Sequence, residues 1–170
     1  MNLKSIITET PHWPSAGINF LDVTPIMENP RVFDYCIDQF VGLAQSATSI
    51  VAVESRGFPI GAVLANRLGV PLVLVRKPGK LPGPVHAESY TTEYSTDTLE
   101  IKQSANIGTH PMIIDDLLAT GGTVTAVVTL LKKNFNPVKV TCGVIINLSF
   151  LPGEQRLKDL QIELTSLETY

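Results

Sequence analysis

Apolar positions along this chain switch repeatedly between helical and strand spacing. Phe33, Cys36, Ile37, Phe40, Val41 and Ala44 recur at intervals of three and four, the period of an amphipathic helix with one face on a core. Asn29-Pro30 precedes that stripe as a cap followed by proline at the first helical position, which predicts a helix from there to near Gln45. Ser49 to Val53 reads as a short buried strand, Pro59 to Leu68 as a helix closed by Gly69, and Pro71 to Val75 as another strand. Met112 to Ile114 suits a third buried strand. Val124, Val127, Val128, Leu130 and Leu131 then suit a helix packed on the sheet, and Val138 to Ile146 a further strand. Repeated strand-helix-strand units predict an α/β fold, a mainly parallel twisted sheet with flanking helices. In such sheets ligands bind at the C-terminal ends of the strands.

Two stretches fall outside this alternation. Pro11 to Gly17 is rich in turn residues. Arg76 to Glu100 contains Pro78, Gly79, Pro82, Gly83 and Pro84 and shows no hydrophobic period before Tyr90. It is expected to be a long loop, with short strands at Tyr90 to Tyr94 and Asp97 to Ile101, serving as a mobile lid.

With 170 residues and 44% hydrophobic content, the chain suits a single domain with a sizeable core. A formal charge of -3 and a pI near 5.6 argue against nucleic acid, whose backbone demands a basic face. Cys36 and Cys142 lie in apolar surroundings without metal-ligand spacing, as expected of buried thiols in a reducing compartment. No residue set is singled out as a metal site. No apolar run approaches the ~18 residues a spanning helix needs, so a soluble, cytoplasmic protein without a membrane partner is expected. His12 and His110 read as turn residues.

Candidate chemistry concentrates at Met112 to Thr123, M-I-I-D-D-L-L-A-T-G-G-T. The order strand, loop, helix puts the small residues Ala119 to Thr123 and their backbone N–H groups at a helix N-terminus, where unsatisfied donors and the helix dipole favour a phosphate. Gly121 and Gly122 permit close approach. Paired carboxylates at Asp115 and Asp116 would repel a phosphate unless they face hydroxyl groups or a metal, and a ribose diol meets that condition. Further donors stand after two other strands, Arg56 in E-S-R-G-F (54–58) and Lys80 in R-K-P-G-K-L-P-G-P (76–84). Both suit a leaving group on which negative charge develops.

The segment D-D-L-L-A-T-G-G-T resembles the phosphoribosyl pyrophosphate (PRPP) signature of type I phosphoribosyltransferases. Joined in order by E-S-R-G-F, V-R-K-P-G-K-L-P-G-P and E-Y-S-T-D-T-L-E-I, it resembles the adenine phosphoribosyltransferase branch from about Trp13 to Arg156. The resemblance implies a purine salvage glycosyltransferase reaction, in which PRPP and adenine give AMP and pyrophosphate. By that resemblance Asp115 and Asp116 hold the ribose 2- and 3-hydroxyls, and Ala119, Thr120, Gly121, Gly122 and Thr123 wrap the 5-phosphate. Arg56 and Lys80 contact the pyrophosphate, Ser55 is a further substrate-binding residue, and Mg2+ binds mainly through PRPP. An unusual peptide geometry is implied at Ser55-Arg56. Glu93, beside Tyr94, becomes the acid that handles the purine N7 proton; Glu88 and His86 are weaker acid or base candidates. Residues 1–28 are implied as a hood over the base, with Ile18, Asn19 and Phe20 beside it, residues 76–100 as the lid with its flanking strands, and the assembly as a homodimer.

A-G-I-N-F-L-D-V-T-P, Ala16 to Pro25, departs from the family pattern twice. Ala16 replaces a proline, and Leu21 stands where arginine is usual, which bears on the base. A 6-oxopurine acceptor such as hypoxanthine, guanine or xanthine is therefore an alternative. A PRPP-sensing regulator without catalysis is a second, although the DNA-binding domain expected of one is missing. A kinase reading lacks the G-x-x-x-x-G-K-[ST] segment.

Overall fold

A computed structural model describes residues 1–13, 15–91 and 96–170. A five-stranded parallel sheet is built from β3 (Ser49–Val53), β4 (Leu72–Val75), β7 (Pro111–Leu118), β8 (Thr141–Asn147) and β9 (Glu163–Thr169), in the order β4-β3-β7-β8-β9. Two antiparallel hairpins stand apart from it, β1 (Thr8–Pro11) with β2 (Asn19–Asp22) and β5 (Val85–Thr91) with β6 (Thr96–Lys102).

Strand alternation divides the core into two layers. Ile50, Met112, Ile114 and Ile145 face one layer with Cys36, Ile37 and Phe40 of α2 (Pro30–Leu43) and Ile60 and Leu64 of α3 (Gly57–Leu68). Val51, Val53, Ile113, Cys142 and Val144 face the other, against Val124, Val127, Leu130 and Leu131 of α4 (Gly122–Phe135) and Leu157 of α5 (Gly153–Asp159). Two-sided burial explains why the central strands are continuous apolar runs. A short helix α1 (Thr24–Glu28) precedes α2. The Asn29 side chain caps α2 by accepting from the N–H groups of Arg31 and Val32 at 3.2 and 3.4 Å, and Gly69 ends α3 at φ 66°, as the sequence predicts.

Several boundaries differ from expectation. The third core strand runs on from Ile114 to Leu118, so the paired carboxylates lie within β7, not after it. Its ladder to β8 continues through Asp115↔Val144 and Leu117↔Ile146, because polar residues are tolerated where a strand emerges at the sheet's ligand-binding end. Val138 and Lys139 are not yet in a strand: both donate to the Thr109 carbonyl. Residues 76–100 are not one long loop either. β5 and β6 pair in register from Val85↔Lys102 to Thr91↔Thr96, a longer hairpin than two short strands framing a loop.

Candidate active site

β3 and β7 are neighbours, with Ala52 beside Ile114, so the turn after β3 projects over the carboxylates of β7. Gly57 opens α3 so close to β7 that a Cβ there would lie 2.6 Å from the Ile114 carbonyl oxygen. This approach carries Arg56 to Asp116, whose Oδ2 accepts a hydrogen bond from Arg56 Nε. The Asp116 side chain is 8% exposed and that of Arg56 40%, so the pair spans the boundary between core and solvent. Burial pulls the Arg56 guanidinium down, but its bond to Asp116 and the charges of Asp116, Asp115 and Asp22 outweigh that and hold it above its ordinary value. The unusual peptide sits one bond earlier than expected: Glu54-Ser55 is cis. Ser55 is exposed.

Asp115 is perturbed the other way. Burial, then the charge of Asp116, raise its carboxyl well above the usual range, against the lowering by the Asp116 N–H donated to its Oδ1 at 2.9 Å and by the Arg56 charge. The folded chain therefore holds a proton at Asp115 more tightly than the unfolded chain, and stability falls as pH rises from roughly 4 toward the raised folded value. Asp115→Asn is expected to be more stable than the parent above that window, with the gap closing at low pH. Thermal melts across a pH series check this; a gap that widens on acidification would contradict it.

The loop from Leu118 into α4 completes the site. Arg56, Asp116 and the run Leu117 to Val124 line one depression of about 210 Å³. Gly121 takes φ 80° as the N-cap of α4 and makes no side-chain capping bond, which leaves the first N–H groups of the helix to serve a ligand. The loop is held from behind. Leu148 N–H donates to the Leu118 carbonyl at 2.9 Å and Gly153 N–H to the Ala119 carbonyl at 3.1 Å, and a Cβ on Gly121 would meet Gly153 Cα at 2.9 Å. The sequence reading missed this support by α5, because the bracing is backbone to backbone.

Phe20 lies under the Arg56 guanidinium with 5.3 Å between carbon and ring centroid, within cation–π range. Trp13 packs edge-on against Phe20 at 4.4 Å. Ile18 and Asn19 are exposed beside them, and Asn19 Nδ2 donates to Glu9 across the hairpin at 2.9 Å. Leu21 points the other way, 5% exposed in the helix-side core.

Lys80 is not gathered with this group. It lines a separate cavity of about 480 Å³ along the edge strand β4, with Arg76 and Lys102. Arg76 is no solvated loop charge: it donates to Glu54 through Nε at 3.2 Å and Nη2 at 3.1 Å, and to the Lys80 carbonyl through Nη1 at 3.2 Å. The Arg76 bonds, then the Lys77 N–H, hold the Glu54 carboxyl below its ordinary value. This brace joins residues 22 apart in sequence, beyond any local pattern. Glu93 and Tyr94 lie outside the described residues. Glu88 faces Lys133 at 3.6 Å and His86 packs edge-on against Phe135, away from the depression's lining. Burial pushes the Cys36 thiol up to about 11 and that of Cys142 higher still, so neither serves as a thiolate.

The phosphoribosyl transferase domain matches residues 26–166 of the chain. The chain belongs to the phosphoribosyltransferase family. The adenine phosphoribosyltransferase of Acaryochloris marina is 48% identical over 95% of this chain and 96% of its own length. Among solved phosphoribosyltransferases, the adenine enzyme of Thermoanaerobacter pseudethanolicus superposes with a TM-score of 0.90 at 38% identity, covering 99% of this chain and 98% of its own. The Saccharomyces cerevisiae enzyme, in complex with adenine and an imino-altritol bisphosphate, superposes at 0.89 with 36% identity, covering 98% and 96%. The phosphoribosyltransferase fold expected from the motifs is therefore the fold found. No helix among the described residues is long and apolar enough to cross a membrane.

Proposed function

We propose that this phosphoribosyltransferase joins adenine to PRPP, giving AMP and pyrophosphate. The observation that carries the reading is the single depression uniting Arg56, Asp116 and the Ala119 to Thr123 loop at the strands' C-terminal ends. Adenine as acceptor is supported by the adenine bound to the yeast relative.

In this reading the free N–H groups at the start of α4 and the Thr120 and Thr123 hydroxyls hold the 5-phosphate, while Asp115 and Asp116 accept from the ribose hydroxyls. Arg56 exchanges its bond to Asp116 for the pyrophosphate, with Lys80 arriving from the β4 side and Ser55 between them. As N9 of adenine bonds to C1 of the ribose, the bond from C1 to the pyrophosphate oxygen breaks and the ring acquires cation character, which the two carboxylates stabilise without attacking it. The proton leaves the purine through N7, where Glu93 accepts it. The base lies by Phe20, its Watson-Crick edge read by backbone groups of Ile18 to Phe20 and by Asn19; Tyr94 is a further substrate-binding residue. Mg2+ would bind mainly through PRPP, with Asp115 and Asp116 fixing the ribose hydroxyls beside it. When bound, magnesium neutralises pyrophosphate charge. Residues 1–28 act as a hood and residues 76–100 as a lid that excludes water from the cationic carbon, in a cytoplasmic homodimer.

Leu21 is the observation that keeps a 6-oxopurine acceptor in view. A leucine carries no charge, so no cation is supplied from that position. Incubating the protein with PRPP, magnesium and each of adenine, hypoxanthine, guanine and xanthine, with nucleotide identified by mass, is expected to yield AMP alone. IMP, GMP or XMP in place of AMP would move the assignment to the 6-oxopurines, and intact PRPP binding without product would favour a sensor.

A further inference from the structure

The inner face of β5 runs along α4 from its end to its beginning. His86 packs on Phe135 with centroids 5.5 Å apart, Glu88 reaches Lys133 at 3.6 Å, and the Tyr90 hydroxyl lies 3.3 Å from Thr123 Oγ1. The Tyr90 ring also covers Gly122, where a Cβ would stand 3.4 Å from Tyr90 Cδ2. Ala87 and Ser89, between these residues, are exposed, so the contacts use one face of a period-2 strand. Tyr90 is thus positioned at the start of α4 by the strand it belongs to and by ring packing, and its hydroxyl meets one member of the loop read above as the 5-phosphate cradle.

Two hydroxyls at this separation leave the donor undecided until a phosphate is considered. A phosphate dianion offers only acceptors, so Thr123 binds it by donating its single hydroxyl hydrogen. The Thr123 oxygen can then only accept from Tyr90. We propose that Tyr90 is a positioning residue for the 5-phosphate: its phenol donates to Thr123 Oγ1 and so aims the Thr123 hydrogen at a phosphate oxygen. The proposal rests on the phosphate reading of the loop. It makes Tyr90 selective for the phosphorylated end of the ligand, with no contact to base or ribose.

The test titrates AMP into the wild-type chain, Tyr90→Phe, Thr123→Val, Thr123→Ser and the Tyr90→Phe/Thr123→Val double variant, and measures steady-state kinetics on the same proteins. Tyr90→Phe keeps the ring on Gly122 and deletes only the hydroxyl. A charge-assisted network of this kind supports a loss of roughly 5- to 10-fold in AMP affinity, with a matching rise in KM for PRPP. The KM for adenine and kcat should stay within about twofold, whereas loosened packing would move all of them. Thr123→Ser should retain AMP affinity, and the double variant should bind AMP no worse than Thr123→Val, because both substitutions break one chain of bonds. Unchanged AMP affinity in Tyr90→Phe, or losses that add in the double variant, would overturn the proposal. Unchanged affinity in Thr123→Val would remove the phosphate role of Thr123 and that of Tyr90 with it. AMP binding is read without turnover, so a failure of the transferase reading shows separately, as AMP binding in a chain that makes no product.

Discussion

Asp116→Asn is expected to lower kcat by about 100-fold or more while leaving the melting temperature within about 2 °C of the parent. The two readouts separate because the charge is needed only when the ribose carbon becomes cationic. In the ground state Asp116 compensates Arg56, whose side chain is 40% exposed. An arginine that keeps this much contact with water is not stranded when its partner is neutralised, so loss of the pair costs little, unlike the break of a fully buried one. In the transition state the lining of the depression holds no other carboxylate, and Arg56 there has the wrong sign; Asp115, buried beside Asp116, is left to act alone. Asn at this position still accepts a hydrogen bond from a ribose hydroxyl, so KM for PRPP should rise by less than kcat falls. Wild-type kcat in the folded variant would remove the electrostatic role. A collapse in melting temperature would recast Asp116 as a structural counter-ion of Arg56.

The same residue shows what the sequence could and could not disclose. The adjacency of Asp115 and Asp116 and the small residues that follow are visible in one line of sequence, and strand, loop and helix follow in the order their apolar spacing predicts, with the strand longer than that spacing shows. Which carboxylate meets Arg56 is not visible, because that depends on the pleat of β7. Asp116 is the one whose carboxylate meets the turn after β3, while Asp115 beside it accepts from the Asp116 N–H. In the β5–β6 hairpin the strand expected at Asp97 to Ile101 is found as β6, whereas β5 was obscured for a related reason. Its inward positions carry His86, Glu88 and Tyr90, which satisfy the period of two without the apolar residues that usually announce it. Alternation at Leu99 and Ile101, both buried, was the available signal. The last strand, β9, is half-buried over Leu164 to Glu168 at the sheet's edge, so its pattern is weak, yet α5 before it braces the loop through Gly153. Leu21 was read for what the family lost there; its burial shows what the fold gained, an apolar side chain in the helix-side layer.

Gly57→Ala is expected to damage both fold and site. A Cβ at this position would meet the Ile114 carbonyl oxygen at 2.6 Å and Asp115 Cα at 3.3 Å, and both are backbone atoms of a central strand that cannot rotate aside. The strain must be relieved by moving α3 away from β7, at a cost of about 1–3 kcal/mol. That corresponds to a fall of roughly 2–12 °C in melting temperature for a chain of this length. Gly42→Ala is the control, since the position lies in α2 and a Cβ there meets nothing within 4 Å; it should stabilise by about 0.5–1 kcal/mol. The site follows the fold because Arg56 is the residue immediately before Gly57, and the close approach of α3 to β7 is what delivers its guanidinium to Asp116. A displacement of about 1 Å at that turn is enough to cost about 100-fold in kcat/KM, so the variant should lose kcat/KM for PRPP even well below its melting temperature. Stability loss with unchanged kcat/KM would mean that Arg56 is positioned by its bond to Asp116 and by Phe20 rather than by the packing of the helix it caps.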